Sequence, residues 1–230
     1  MTDDCLQNFT QNLYFLYPDY TNAGYIIGVK GGENMKSLNL CVDIDGTVTE
    51  PHYWLNRANR FFKTQVEPKD VRSYDIHEVL GVKRSAYDEF YSLFGKLVHK
   101  EARARMGAAE VLNKLYMRHR IHFVTAREER MKDVSMEWLS RHNFPMDTIA
   151  LLGTCDKVGQ ARDLKCDLFI EDSLENARML SEAGFHVLLI DCSYNKGALP
   201  FNTVRVNNWF QIEKIVEHIS METKPSGFAI

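Results

Sequence analysis

The stretch of sequence richest in chemistry is Val42-Asp43-Ile44-Asp45-Gly46-Thr47-Val48-Thr49, which directly follows an apolar run. Alternate residues of an extended chain project to the same side, so Asp43 and Asp45 would stand as neighbouring anions. Like charges that close repel, and they coexist only with a cation or a shared proton. A hard divalent ion such as Mg²⁺, which takes carboxylate and carbonyl oxygens, would resolve the conflict. The competing reading is an Asp pair in a solvated surface turn. Gly46 lets the chain turn sharply here, and Thr47 is expected to bond within that turn.

The elements that must position these groups can be read from periodicity. Five short apolar runs have strand character: Leu38–Ile44, Ile121–Val124, Thr148–Leu152, Asp167–Ile170 and His186–Ile190. Helical spacing falls between them. Val111, Leu112, Leu115 and Tyr116 share a face, as do Met131, Val134, Trp138 and Leu139. Leu174, Ala177 and Leu180 repeat the pattern, with Gly184 as a stop signal. Ile212, Ile215, Val216 and Ile219 mark a last amphipathic helix, which Tyr194 and Trp209 are expected to pack onto the sheet. Strands alternating with helices predict an α/β fold, a doubly wound parallel sheet covered on both faces. Such sheets carry their chemistry at the carboxyl ends of the strands.

The alternation breaks once. About 75 residues separate the first run from the second, too many for a structureless loop. Asn56–Phe62 and Ser85–His99 read as helices, punctuated by Gly81 and Gly95. Residues 51–106 are therefore expected to form a small inserted helical domain. The core is then 35–50 and 107–220, with 221–230 as a tail. Residues 1–34 fit neither part. For a bacterial source, Lys30-Gly31-Gly32-Glu33-Asn34-Met35 can be encoded by a string containing AGGAGGUG just ahead of AUG, a strong ribosome-binding sequence. Met35 is then expected to be the native start and residues 1–34 a translated leader, the alternative being a true N-terminal extension.

Composition bounds the rest. The chain has 230 residues, 45% hydrophobic and 26% charged, with a net charge of −3, which excludes disordered, collagen-like and disulfide-scaffold classes. No apolar run reaches the ~18 residues of a membrane span, and Met1–Cys5 lacks the basic start of a secretory signal. Five Cys with no C-x-x-C pair point to reduced, cytoplasmic thiols rather than disulfides or zinc. Residues 51–120 carry 14 of the 28 basic residues but only 8 of the 31 acidic ones. That +6 segment reads either as a solvated face or as a basic lobe over an acidic site for an anionic substrate.

Four stretches taken in order make a family resemblance. After the D-x-D-G-T segment come His122-Phe123-Val124-Thr125, Lys157 in Cys155-Asp156-Lys157 (with Lys165 as a weaker rival), and Leu168-Phe169-Ile170-Glu171-Asp172-Ser173. Together they resemble the four motifs of the haloacid dehalogenase superfamily in its phosphatase branches, over residues 38 to about 219. The resemblance implies a Rossmann-like core with a cap inserted between the first two motifs. It implies Asp43 as nucleophile, forming an aspartyl-phosphate, and Asp45 as acid and then base; a pKa of Asp45 raised by the neighbouring Asp43 anion would help that role. Thr125 and Lys157 would bind the phosphoryl group. Mg²⁺ would be held by Asp43, the backbone carbonyl of Asp45, and Asp172. Glu171 either supports this set or faces solvent beside it. Arg127 either reaches the substrate or starts the next helix.

Ile170–Ala177, Asp191–Lys196 and Arg205–Trp209 are similar to bacterial nucleotidases of the 5′(3′)-deoxyribonucleotidase branch. The sequence departs from characterised members in Thr125-Ala126-Arg127, where they have Thr-Ser-Pro, and in Glu171-Asp172, where they have Asp-Asp. The function implied is Mg²⁺-dependent hydrolysis of a small phosphate monoester, a nucleoside 5′-monophosphate first, with a general phosphatase or phosphotransferase of the same superfamily as the alternative. A phosphate-accepting receiver module and a non-catalytic phosphate binder are the readings from other classes. The receiver is disfavoured because the D-x-D opens the fold and a cap is inserted. No partner is expected among membranes or nucleic-acid polymers, since the basic residues lack an interleaved binding motif. His52, His77, His99 and His119 have no zinc-ligand spacing. The insertion's aromatics (Tyr53, Trp54, Phe61, Phe62, Tyr74, Tyr87, Phe90, Tyr91) read first as its core and second as a stacking surface for a base.

Overall fold

The computed structural model describes residues 36–221; the segment 1–34, read above as a leader, and the tail from 222 lie outside the described residues. Among the described residues, six strands pair in parallel in the order β3-β2-β1-β4-β5-β6. They are β1 (Asn39–Val42), β2 (Arg120–Thr125), β3 (Thr148–Leu151), β4 (Leu168–Glu171), β5 (Val187–Ile190) and β6 (Thr203–Val206). β1 pairs with β2 on one side and β4 on the other. The strand order therefore reverses between β1 and β4, and the crevice beyond their carboxyl ends is where such sheets bind ligands.

Five strands fall on the five apolar runs. β6 was not among them, because its alternation is short and interrupted by Arg205. It lies at the sheet edge, where a polar residue costs little. The Arg205 guanidinium bonds to Asp191 Oδ1 at 3.0 Å and to Asn195 Oδ1 at 2.7 Å.

Alternate strand residues feed two cores. Leu40, Val42, Phe123, Leu188 and Ile190 face α4 (Ala108–Tyr116), α5 (Lys132–Arg141) and α8 (Trp209–Met221). Cys41, Val124, Phe169, Val187 and Leu189 face α6 (Val158–Asp163) and α7 (Leu174–Glu182) on the other side. Gly184 follows α7 with φ 91°, a left-handed conformation that ends a helix at little cost to glycine.

Between β1 and β2 the chain forms α1 (Leu55–Phe62), α2 (Ile76–Val79) and α3 (Arg84–Glu101). These build a third apolar cluster of their own, around Trp54, Leu55, Ala58, Val71, Phe90 and Val98. The insertion leaves and re-enters through a two-chain neck. Glu50 N donates to Arg103 O at 2.8 Å and Arg105 N to Val48 O at 2.8 Å. Gly95 does not break α3. A Cβ there would lie 2.8 Å from Met131 Cε, so glycine lets α3 pack closely on the core. No helix among the described residues is long and apolar enough to cross a membrane.

Phe123 is fully buried on β2 and meets Phe144 edge-on, with ring centroids 6.1 Å apart. Phe123→Ala is expected to cost about 3–5 kcal/mol through lost burial and a residual cavity, read as a lower urea midpoint.

Candidate functional site

β1 ends at Val42, and Asp43 continues its ladder by donating its N–H to Ile170 O at 3.0 Å. Asp43 is thereby fixed at the β1/β4 reversal, 4% exposed. The chain then turns. Gly46 takes φ 80°, and its N–H donates to Thr49 Oγ1 at 2.8 Å. Thr49, not Thr47, closes the turn: Thr47 Oγ1 is buried without a partner, while its carbonyl accepts from Trp209 Nε1 at 3.1 Å. Glycine at 46 is dictated by crowding as well as by φ. A Cβ would stand 2.0 Å from Asp172 Oδ2 and 2.5 Å from the Tyr194 hydroxyl.

Lys157 immediately precedes α6, and its side chain is buried. Its Nζ donates to Asp43 Oδ1 at 2.6 Å and to Glu171 Oε1 at 2.7 Å. Lys165 is exposed at the turn before β4 and does not join the cluster. Glu171 ends β4 fully buried, so the solvent-facing alternative is overturned. Its carboxylate also accepts from Asn176 Nδ2 at 2.7 Å and from the backbone N–H groups of Asp172 and Ser173 at 2.7 and 3.0 Å. Ser173 caps α7 by accepting from Asn176 N. Asp172 receives the Tyr194 hydroxyl at Oδ2, while its buried Oδ1 has no partner. Tyr194 therefore belongs to this site and to the insertion's core, and does not pack the last helix onto the sheet. Trp209 does join the main core.

One oxygen from each of Asp43, Glu171 and Asp172 lies within 4.8 Å of the others, with one ammonium among them. Burial pushes the Asp43 carboxyl up to about 7, with Lys157 opposing the shift and Glu171 and Asp45 adding to it. Burial raises Asp172 as well, followed by the charges of Glu171 and Asp43. Burial also works to raise Glu171, but the Lys157 ammonium and the hydrogen bonds leave it lowered. The residues fit a hard divalent cation: every donor is a carboxylate oxygen, the negative charge exceeds the lysine's, and a buried Asp172 oxygen lacks a partner.

Asp45 turns the other way. Arg127 Nε donates to its Oδ2 at 2.8 Å and Arg127 NH2 to its Oδ1 at 2.5 Å. Tyr53 donates its hydroxyl to Oδ1 at 2.6 Å. Burial would raise the Asp45 carboxyl, but Arg127, then His99 and Tyr53, hold it well below the carboxylate range. This corrects the expectation of a pKa raised by the Asp43 anion, because the guanidinium outweighs it. Arg127 follows β2 and lines the cavity between the insertion and the strand ends. It is buried, its NH1 donates to Ser135 Oγ at 2.8 Å, and its fork is spent on Asp45. Thr125 ends β2 buried and accepts from Arg127 N at 3.2 Å, which leaves its hydroxyl proton for another acceptor.

A cavity of about 350 Å³ opens between the insertion and the strand ends, lined by Asp45, Gly46 and Asp172 on the core side. Phe61, Phe62, Phe90 and Phe94 pack on one another, while Tyr53, Trp54, Tyr74, Tyr87, Phe90 and Tyr91 line the cavity, so Trp54 and Phe90 serve both the apolar cluster and the cavity wall. Of the basic residues of 51–120, Arg84 alone lines it among the described residues. Others pair with acids at the surface, as in Arg57–Glu101 and Lys114–Glu110, so the charge excess is mainly a solvated face. His99 is buried beside Asp45 at 3.6 Å, and burial pushes its imidazole down to about 3. The roles of Tyr53 and His99 beside Asp45, and of Asn176 and Tyr194 beside Glu171 and Asp172, were not among the roles read from the sequence, since no local spacing marks such partners.

The family described as 5′ nucleotidase, deoxy (pyrimidine), cytosolic type C, matches residues 36–222. A nucleotidase of Clostridium acetobutylicum is 43% identical over 185 residues, covering 80% of this chain and 96% of the relative. A 5′(3′)-deoxyribonucleotidase of the same organism is 23% identical over 188 residues, covering 80% and 98%. Among solved structures, a haloacid dehalogenase-like hydrolase from Streptococcus pneumoniae superposes with a TM-score of 0.60 at 14% identity, covering 76% of this chain and 96% of its own.

The raised Asp43 pKa has a consequence for stability. The folded state keeps a proton that the unfolded chain releases near 3.8. Asp43 therefore favours folding at low pH, and that contribution is lost as pH rises through about 7. Without divalent ions, Asp43→Asn is expected to melt at a higher temperature than the parent at about pH 8, the gap narrowing toward pH 4. Calorimetry across pH checks this.

Proposed function

We propose that this chain, which belongs to the 5′-nucleotidase family of deoxy (pyrimidine), cytosolic type C proteins within the haloacid dehalogenase superfamily, cleaves nucleoside 5′-monophosphates through an aspartyl-phosphate on Asp43. It is a hydrolase acting on phosphate monoesters. The observation that carries the mechanism is the buried contact of Lys157 Nζ with Asp43 Oδ1 at 2.6 Å, beside Glu171 and Asp172. One ammonium cannot neutralise three carboxylates, so the cluster is built for further positive charge.

Asp43, the backbone carbonyl of Asp45, and Asp172 would hold Mg²⁺, which supplies charge neutralisation between nucleophile and phosphate when bound. Lys157 fixes the Asp43 carboxylate and stabilises negative charge on the transferring group. An Asp43 oxygen attacks phosphorus, and the bond to the leaving oxygen breaks. Asp45 takes up a proton from solvent as the substrate binds and gives it to that oxygen, then takes one from the water that releases phosphate and restores Asp43. The Arg127 fork keeps Asp45 ionised without substrate. The charge of the arriving phosphate opposes that effect and raises its proton affinity. Thr125 donates its hydroxyl proton to a phosphoryl oxygen.

Residues 51–106 act as a cap that excludes water and meets the leaving group. The cavity volume suits a small ligand, and the rings of Tyr74, Tyr87 and Tyr91 offer faces for a base. Asp43→Asn is expected to lower turnover of nucleoside monophosphates at least ~10³-fold, and chelation to abolish it until Mg²⁺ is restored. Near-normal turnover in the variant refutes the mechanism. A flat rate profile across ribo-, deoxyribo- and non-nucleotide phosphates would replace the nucleotidase with a general phosphatase.

A further inference from the structure

We infer that Tyr53 and His99, both carried by the insertion, are positioning residues for Asp45, so that the insertion sets the acid/base group itself as well as covering the site. This rests on the acid/base reading of Asp45 given above. Tyr53 donates its hydroxyl to Asp45 Oδ1 at 2.6 Å. His99 Nδ1 lies 3.0 Å from the same hydroxyl, and its Nε2 lies 2.8 Å from the Tyr91 hydroxyl.

The direction of each bond follows from the carboxylate. Tyr53 has one O–H and gives it to Asp45, so its oxygen must accept from His99. That places the single imidazole proton on Nδ1 and leaves Nε2 to accept from Tyr91. The order is therefore Tyr91 to His99 to Tyr53 to Asp45, with every donor pointing at the anion. Bonds aligned in this way polarise one another.

Asp45 needs such an arrangement. It stands in the turn after β1, beyond the ladder that fixes Asp43, and its side chain is 29% exposed where those of Arg127 and His99 are 1% and 4% exposed. Arg127 grips it from the core, and Tyr53 from the insertion. Its carboxyl has to meet a leaving oxygen and then a water at one place, where small displacements are costly in rate. A purely structural Tyr–His pair would need no carboxylate at its end. This one ends on the group that moves protons.

The test compares two esters. A nucleoside 5′-monophosphate expels an alkoxide that must be protonated, whereas 4-nitrophenyl phosphate expels a stable phenolate. kcat/KM reports the first phosphoryl transfer for both. Tyr53→Phe is expected to lower kcat/KM about 30-fold on the nucleotide and less than about threefold on the aryl ester, since one bond to a charged group is lost. KM should change little. His99→Gln should show the same split at about tenfold, and it carries the test alone should Tyr53→Phe fail to fold. Equal losses on both esters, no loss on either, or a loss confined to KM overturns the inference. If the parent tolerates Asp43→Asn, the mechanism fails and this inference with it. A missing split in an enzyme that requires Asp43 overturns the inference alone.

Discussion

A single buried ammonium organises this molecule's site. Lys157 Nζ sits between Asp43 at the end of β1 and Glu171 at the end of β4, the two strands flanking the reversal of the sheet. Losing both of its carboxylate partners would leave Lys157 an uncompensated buried charge, at a cost of several kcal/mol. The neighbourhood is built around avoiding that outcome. Glu171 spends its remaining lone pairs on Asn176 and on two backbone N–H groups at the start of α7. Asn195 ties the carbonyls of Ile190 and Asp172 together with its amide. Gly46 clears the space into which Asp172 and Tyr194 fit.

The second charge centre is Arg127 on Asp45, which is separate in partners although adjacent in sequence to the first. Two aspartates two residues apart thus meet opposite fates. Asp43 is held by an overloaded lysine and driven up by burial, and Asp45 is held by a full guanidinium fork and kept low. Environments that push two carboxyl groups apart are the usual way one site performs two jobs. The insertion supports the second centre through Tyr53 and His99, and Tyr194 of the core reaches from the first centre into the insertion's apolar cluster. Insertion and core therefore share side chains on both sides of the cavity.

Much of this was legible beforehand. Leu40, Val42, Phe123 and Ile170 belong to short apolar runs, and the runs became strands because a sheet buried on both faces requires nothing else of them. The exception was β6, whose Arg205 sits at an edge. Among site residues, Asp43, Lys157 and Asp172 lie together at strand and helix ends. The motif order could not show that Glu171 is buried with them, nor that Arg127 is turned onto Asp45. Residue type does not separate packing from lining in the insertion, since Trp54 and Phe90 belong to its apolar cluster and also line the cavity.

The sequence by itself determined the element types, the parallel sheet, and the residues offering carboxylate and ammonium groups. These follow from periods of two and 3.6 and from residue chemistry, both local properties. The tertiary structure decided which charge meets which. Lys157 and Asp43 are 114 residues apart, Arg127 and Asp45 82, and Tyr53 and His99 46. Contacts across such separations depend on strand order and on how the neck seats the insertion. The ionisation of each aspartate depends in turn on those contacts, because in a buried site the nearest charge and the lost water set a pKa together.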